Sequence, residues 1–386
     1  MRYQQRTSLK IGIVLFTIWG GFGEVFRNTE VATFAGSAAS RTRCVSAGQA
    51  DCPHVIMGYY RSWGGMEASA IPWNSLTHIS HAFVEIQDDG RVKTQSQIPS
   101  VTLTHTAHRH GVKALLAIGG TDSGDQLFDI AKAPVKRKTF VNSVVSTVKA
   151  FGYDGVDLDW EYPTKESAEA FHTLLGELKS SLVAQERFGS PLLLSAAVPP
   201  SDWHGQWMRA DRLTECCDLI QVMAYDFTGP WSTRALHHSA VVDTDQHIAL
   251  GGFSVRRSLV YWLAQRRVPA SKILVGLPLY GRVFEADSIA GPIRSKVERG
   301  TQPATLTISK VNNLIDAGWR RVSSPSPWLQ SPRKDALFAF DDPTSIKLKC
   351  TLARESGCRG AFVWALGDEG SSKQRLLETA FATFHP

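Results

Sequence analysis

No two cysteines in this 386-residue chain are spaced as C-x-x-C, so the usual zinc-knuckle spacing is missing. No glycine-rich loop follows the first strand-like run at 55–60, which removes the phosphate cradle of a dinucleotide-binding fold. Long basic runs are missing as well. The net charge is +6 and the pI about 9.0, yet basic residues are scattered, with only short pairs such as Arg256-Arg257 and Arg266-Arg267. They read as a solvated surface, so no nucleic-acid partner is expected; weak attraction to acidic wall polymers stays open. The apolar run at 11–19 is too short for a membrane span. It follows Arg2, Arg6 and Lys10 and ends in Gly20-Gly21, the order of a secretory leader. Residues 1–23 are therefore expected to be a signal peptide and the protein secreted; the alternative is a membrane anchor that stays uncleaved. Residues 24–51 are small, polar and irregular, as in a linker or pro-segment.

Six cysteines are present, at 44, 52, 216, 217, 350 and 358. An even count in an exported chain suggests disulfides. Cys44/Cys52 and Cys350/Cys358 would close local loops. Cys216 and Cys217 are adjacent and rarely pair with each other, so one or both are expected as buried thiols. The connectivity stays open.

With 43% apolar and 20% charged residues the chain can bury a large core. Eight apolar, strand-like runs lie at 55–60, 77–84, 112–118, 155–160, 192–198, 219–225, 273–277 and 360–365. Longer helical patterns alternate with them. Eight strands alternating with helices predict a closed parallel (β/α)8 TIM barrel over 52–386, and such a barrel takes about 250 residues. The runner-up is a doubly wound open sheet. The interval at about 283–335 is too long for a plain helix, and loops of that length are uncommon in compact domains.

The stretch Asp154-Gly-Val-Asp157-Leu-Asp159-Trp160-Glu161-Tyr-Pro163 organises the rest. In a strand, successive side chains point to opposite faces. Asp157, Asp159 and Glu161 would then line one face, and Val156, Leu158 and Trp160 the other. Pro163 closes the strand, since proline cannot donate to a ladder. Close carboxylates raise at least one pKa and keep a proton available near neutral pH. A protonated carboxyl is what general acid catalysis of glycoside cleavage needs. An acidic strand end in solvent or a divalent-metal site remain alternatives. No His or Cys lies near these carboxylates in sequence, which disfavours zinc but not magnesium or calcium.

This stretch resembles the D-G-x-D-x-D-x-E signature of family-18 glycoside hydrolases, the chitinases and their lectin relatives. Other strand ends extend the resemblance from about residue 55 to about 369. They are Gly58-Tyr59-Tyr60, Ala117-Ile-Gly119-Gly120, Met223-Ala-Tyr225-Asp226, Pro278-Leu-Tyr280-Gly-Arg282 and Phe362-Val-Trp364. The resemblance implies a small α+β insertion domain between strands seven and eight. It makes Glu161 the general acid and Asp159 the holder of the substrate's acetamido group. Asp157 and Asp154 would support Asp159 from below, Asp154 being counted with the binding residues. Tyr225 would donate to the acetamido carbonyl and Asp226 hold the sugar from the opposite side. Trp364 would be the floor under the −1 sugar. Tyr280 and Arg282 would hydrogen-bond sugars, although an Arg here could equally pair with a carboxylate. Tyr59 is a cleft tyrosine or a core one, and Met223 a core filler more than a contact. Phe83, Gly119, Gly120 and Trp160 complete the expected binding set. Thr121 stands where several chitinases carry a stacking Trp.

The implied reaction is retaining hydrolysis of β-1,4-linked N-acetylglucosamine in which the substrate's own acetamido oxygen attacks the anomeric carbon. No metal or organic cofactor is implied, and a monomer acting on chitin or its oligomers is expected. The alternatives are an endo-β-N-acetylglucosaminidase on glycoprotein glycans and a catalytically silent lectin. Lectin relatives typically lose the acid, whereas Glu161 is present here.

Overall fold

The strand that carries the carboxylates shows how the sheet is built. Val156, Leu158 and Trp160 are buried in an outer apolar layer that also holds Phe171, Leu174, Leu175 and Leu178. Asp157 and Asp159, between them in sequence, are buried on the other face. Two-residue alternation thus separates a helix-facing layer from a barrel interior.

The computed structural model describes residues 54–386 except 122, 188, 230, 295–304, 324 and 371–374. The expected leader, the linker, Cys44 and Cys52 lie outside the described residues. Eight strands form the barrel: β1 (Val55–Arg61), β2 (His78–Ile86), β3 (Lys113–Gly120), β4 (Gly155–Trp160), β5 (Leu193–Val198), β6 (Leu219–Val222), β7 (Ile273–Pro278) and β8 (Gly360–Trp364). Each pairs in parallel with its neighbour in this order. β8 then pairs with β1, which closes the ring and excludes the open doubly wound sheet.

The outer layer comes from α1 (Val101–Arg109), α2 (Gly124–Lys132), α3 (Pro134–Phe151), α4 (Ala168–Val183), α5 (Ala210–Cys216), α6 (Val255–Leu259), α7 (Pro343–Glu355) and α8 (Arg375–Phe384). Their boundaries follow local chemistry. Ser100 accepts from the Leu103 N–H to cap α1. Gly152, at φ 74°, ends α3 in a left-handed turn. Asp342 and Ser345 form a reciprocal capping box at α7, with Pro343 opening the helix.

Two expectations are corrected. The sixth run was expected to stay in the ladder to 225, but β6 ends at Val222. Beyond it the Ala224 N–H turns back to the Val222 carbonyl and the Tyr225 N–H to the Met223 carbonyl. The second correction concerns Cys350 and Cys358, for which a local disulfide loop was one of the pairings left open. Both are free and buried, as are Cys216 and Cys217. Cys350 lies on the core side of α7 and Cys358 just before β8, where each acts as a small apolar filler.

Between β7 and β8 an antiparallel sheet is set on the barrel. Its strands, in spatial order, are Thr305–Thr307, Tyr280–Phe284, Leu337–Ala339, Trp328–Gln330 and Arg320–Ser323, with a short helix Val311–Asp316. Behind this sheet Lys349 and Asp341 form an ion pair in which both side chains are wholly buried. Desolvation makes such a pair a weak stabiliser, but removing one partner strands the other charge. Lys349→Met is therefore expected to cost about 3–5 kcal/mol of unfolding free energy, and replacing Asp341 by Leu as well to recover most of it. Denaturant melts of the single and double variants check this; a single variant as stable as the parent would contradict it.

Candidate active site

The strand registers bring polar groups from four strands to one level inside the barrel. Asp157 on β4 lies opposite Ala117 on β3 and Ser195 on β5. Its carboxylate accepts from Ser195 Oγ at 2.6 Å and Ser80 Oγ at 2.7 Å, and also from the Gln221 side-chain amide. Burial raises the Asp157 pKa, opposed by the hydroxyls of Ser195, Tyr59 and Ser80 and by the Gln221 amide.

Asp159 stands one level higher and is only 4% exposed. Burial, then the charge of Glu161, then that of Asp157 push its carboxyl well above the usual range. The protonated form is favoured there. Asp159 Oδ1 is buried with no hydrogen-bond partner among the described residues. A buried unpaired polar atom is costly, and such atoms call for an explanation. Glu161 follows immediately beyond β4, half-buried at the mouth. The three carboxylates therefore climb one face of a single strand, from a caged base to an open rim.

Glycines at the end of β3 allow this approach. Gly119 lies opposite Asp159 and Gly120 opposite Trp160. Their φ values are 115° and 90°. A methyl group on Gly119 would run into the Asp159 carbonyl, and one on Gly120 into the Phe83 ring.

Aromatic rings wall the mouth. Trp364 at the end of β8 is half-buried, stacks on Phe83 at 5.7 Å and meets Tyr59 edge-on at 5.2 Å. Tyr225 meets Tyr280 and Phe362 edge-on, each at 6.1 Å. Burial, then Tyr280, Asp159 and Glu161, raise the Tyr225 hydroxyl well above the usual range, so it remains a donor. Met223 is 6% exposed within this inner cluster, and its sulfur lies 4.0 Å from the Tyr162 hydroxyl.

Asp226 has a left-handed backbone, φ 56°. Arg282 forks onto its carboxylate at 2.9 and 2.7 Å. Burial would raise the Asp226 pKa, but His238 and Arg282 outweigh it and hold it at about 2. The carboxylate pair, one of the two readings open for Arg282, is present. Its guanidinium also lies 5.3 Å over the Tyr280 ring and 5.4 Å over the Trp231 ring.

Two expected binding residues lie elsewhere. Asp154 precedes β4 at the opposite end of the barrel. Its carboxylate accepts from the Ala114 N–H and meets His108 Nε2, both at 2.7 Å. It ties β3 and α1 together there. Trp160 points outward and packs edge-on against Phe171 of α4 at 5.7 Å, because alternation gives it the face opposite the carboxylates. Of the remaining expected residues, Tyr59, Phe83, Met223, Tyr225, Tyr280 and Trp364 share one inner cluster, Arg282 pairs with Asp226, and Asp157 is caged inside the barrel.

Several residues join the site that the sequence reading did not assign. Ser80, Ser195 and Gln221 cage Asp157. Their signal was available as polar residues at inward positions of apolar runs. Trp203 is 65% exposed, sits in the short helix Asp202–Gly205 after β5 and meets Tyr162 edge-on at 5.7 Å. Trp63 (59% exposed) lies beyond Phe83, and Trp231 (61% exposed) beyond Arg282. His238, 0% exposed, stands 3.6 Å from Asp226. No local pattern marks the exposed aromatics or this histidine.

Known proteins resemble this chain in sequence and fold. The model of the glycosyl hydrolases family 18 matches residues 55–369. Chitinase 1 of Aphanocladium album is 24% identical over 359 residues, covering 85% of this chain and 84% of its own. The endochitinase of Brugia malayi is 28% identical over 341 residues, 80% of this chain and 67% of its own. Among solved structures, a class V chitinase from Nicotiana tobaccum superposes with TM-score 0.78 at 24% identity, over 86% of this chain and 99% of that one. A GH18 chitinase from Cycas revoluta in complex with (GlcNAc)3 gives 0.75 at 26%, over the same shares. With the family match spanning the whole barrel and its carboxylate strand, this chain belongs to glycosyl hydrolase family 18.

Proposed function

We propose that this protein is a chitinase that hydrolyses β-1,4-linked N-acetylglucosamine oligomers with retention, using the substrate's acetamido group as nucleophile. The observation that carries this reading is the buried, unpartnered Asp159 Oδ1 between caged Asp157 and rim Glu161. A 2-acetamido sugar seated on Trp364 would offer its N–H to Asp159 and its carbonyl to the Tyr225 hydroxyl. Asp159 and Tyr225 would then orient the carbonyl oxygen towards the anomeric carbon and stabilise the positive charge that develops. Glu161 would protonate the leaving oxygen and later take the proton of the attacking water. The cage around Asp157 lets a proton shift between Asp159 and its neighbours as charge moves. Chitin oligomers are the ligands in the Cycas revoluta complexes, which favours the same substrate class here.

A fluorogenic chitobioside and a high-mannose glycopeptide test the reading together. Cleavage of the first and not of the second is expected. Cleavage of the glycopeptide alone would move the assignment to an endo-β-N-acetylglucosaminidase, and binding without turnover to a lectin.

The exposed rings around the mouth fit the C–H faces of successive sugars. Trp203→Ala is expected to raise KM for the hexamer roughly two- to tenfold and to leave kcat within about twofold, since one stacking contact contributes about 0.5–1.5 kcal/mol. Steady-state kinetics on oligomers of increasing length would show it; an unchanged KM at every length removes Trp203 from the binding surface.

A further inference from the structure

Asp226 adopts a backbone conformation that a non-glycine residue holds only when its surroundings enforce it. Arg282 holds its carboxylate, and the backbone on either side is held by one buried segment, His237-His238-Ser239, which is 4%, 0% and 0% exposed. Ser239 Oγ donates to the Ala224 carbonyl at 2.7 Å, on one side of Asp226. The His238 carbonyl accepts from the Phe227 N–H at 3.0 Å, on the other side. The His238 ring faces the carboxylate itself, Nδ1 standing 3.6 Å from Oδ1. The segment is clamped from behind. Lys349 Nζ donates to Ser239 Oγ at 2.7 Å and is paired with Asp341. His237 Nδ1 accepts from the Ser239 N–H at 3.1 Å, so its Nε2 carries the proton given to the Phe340 carbonyl, also at 3.1 Å.

We propose that His238 is a positioning residue of this enzyme, holding Asp226, and through the adjoining turn the Tyr225 hydroxyl, in reactive geometry. Ser239 and the Lys349–Asp341 pair fix the segment from which it acts. The neutral ring, with the proton on Nδ1, would turn its donor to a carboxylate already engaged by Arg282, from 3.6 Å and so beyond a formed hydrogen bond, and the Tyr280 ring packs at 5.4 Å on its flank. Burial disfavours a charge on His238, opposed by Asp226. A neutral donor suits this place, because a second full cation beside Arg282 would be costly. His238 does not touch substrate in this account; it acts on groups that do. The inference rests on the chitinase reading above.

His238→Asn and His238→Leu test it, with Ser239→Ala as the gentler third variant. Asn Nδ2 falls close to the place of His Nδ1, whereas Leu fills similar volume without a donor. All three keep the main-chain contact to Phe227. Wild-type turnover of the hexamer is the control that tests the chitinase reading by itself. Given that turnover, His238→Leu is expected to lower kcat about tenfold with KM within about twofold. His238→Asn is expected to retain at least a third of wild-type kcat, and Ser239→Ala to lose about three- to tenfold. Rates are referred to the folded fraction measured by near-UV circular dichroism. Equal kcat for His238→Leu and wild type overturns the proposal. So does a Leu defect that Asn does not relieve, or one that vanishes when referred to folded protein. If His238→Leu does not fold, the kcat of Ser239→Ala and His238→Asn decides: an unchanged Ser239→Ala rate overturns the proposal.

Discussion

Glu161→Gln is expected to lose hydrolysis by roughly 10²–10⁴-fold, the usual contribution of a positioned general acid–base group. The substitution keeps the shape at the strand end and removes the transferable proton. Because Trp364, Tyr225 and Asp226 are untouched, binding of chitin oligomers should stay within a few-fold of wild type. Isothermal titration with the tetramer, beside a fluorogenic rate assay, separates the two effects. A variant that keeps more than a few per cent of wild-type rate would mean that another group supplies the proton, and Glu161 would lose its assigned role. Loss of both binding and rate would instead point to a collapsed site.

Asp159→Asn should have the next largest effect, a fall in kcat on the order of 10²–10³ with a smaller rise in KM. The reason lies in the electrostatics of the stack. Asp159 is buried between two other carboxylates, so its charge state responds to theirs. An amide still fills the space but cannot gain negative charge as the acetamido group becomes cationic. Tyr225→Phe should act in the same direction and more mildly, about tenfold to a hundredfold, because it removes one hydrogen bond and no charge. If the acetamido oxygen is the nucleophile, fully deacetylated oligomers should not be cleaved. A thiazoline analogue of the cyclised intermediate should inhibit competitively, as mimics of charged transition states do. Cleavage of deacetylated substrate at a comparable rate, or a covalent glycosyl-enzyme seen by mass spectrometry, would overturn this mechanism while leaving the fold intact.

The barrel was legible in the sequence because inward and outward positions alternate with the period of a strand. The eight runs fall within about two residues of the strands at most ends. The exception, β6, overran because Met223, Ala224 and Tyr225 continue the apolar pattern while the chain has already left the ladder. Nothing local announces a left-handed aspartate at 226. The carboxylates were legible for the same reason of period. That same period should have kept Trp160 out of the binding set, since it alternates with Asp159. Asp154 fell out on distance. At about 3.3 Å per residue, three residues put it some 10 Å below Asp157, at the floor of the barrel rather than the mouth. The exposed aromatics Trp63, Trp203 and Trp231, and the support of Asp226 by His238 and Lys349, depend on tertiary contacts that no short window holds.

The most direct test of the acetamido mechanism is the anomeric form of the first products. Proton NMR of N-acetylglucosamine hexamer, followed from the first minutes of hydrolysis before mutarotation, reads it. The expected result is new reducing ends that start as the β-anomer and drift towards equilibrium, as two inversions at one carbon require. New ends that start as the α-anomer would mean a single displacement by water, and would contradict an acetamido nucleophile held by Asp159 and Tyr225.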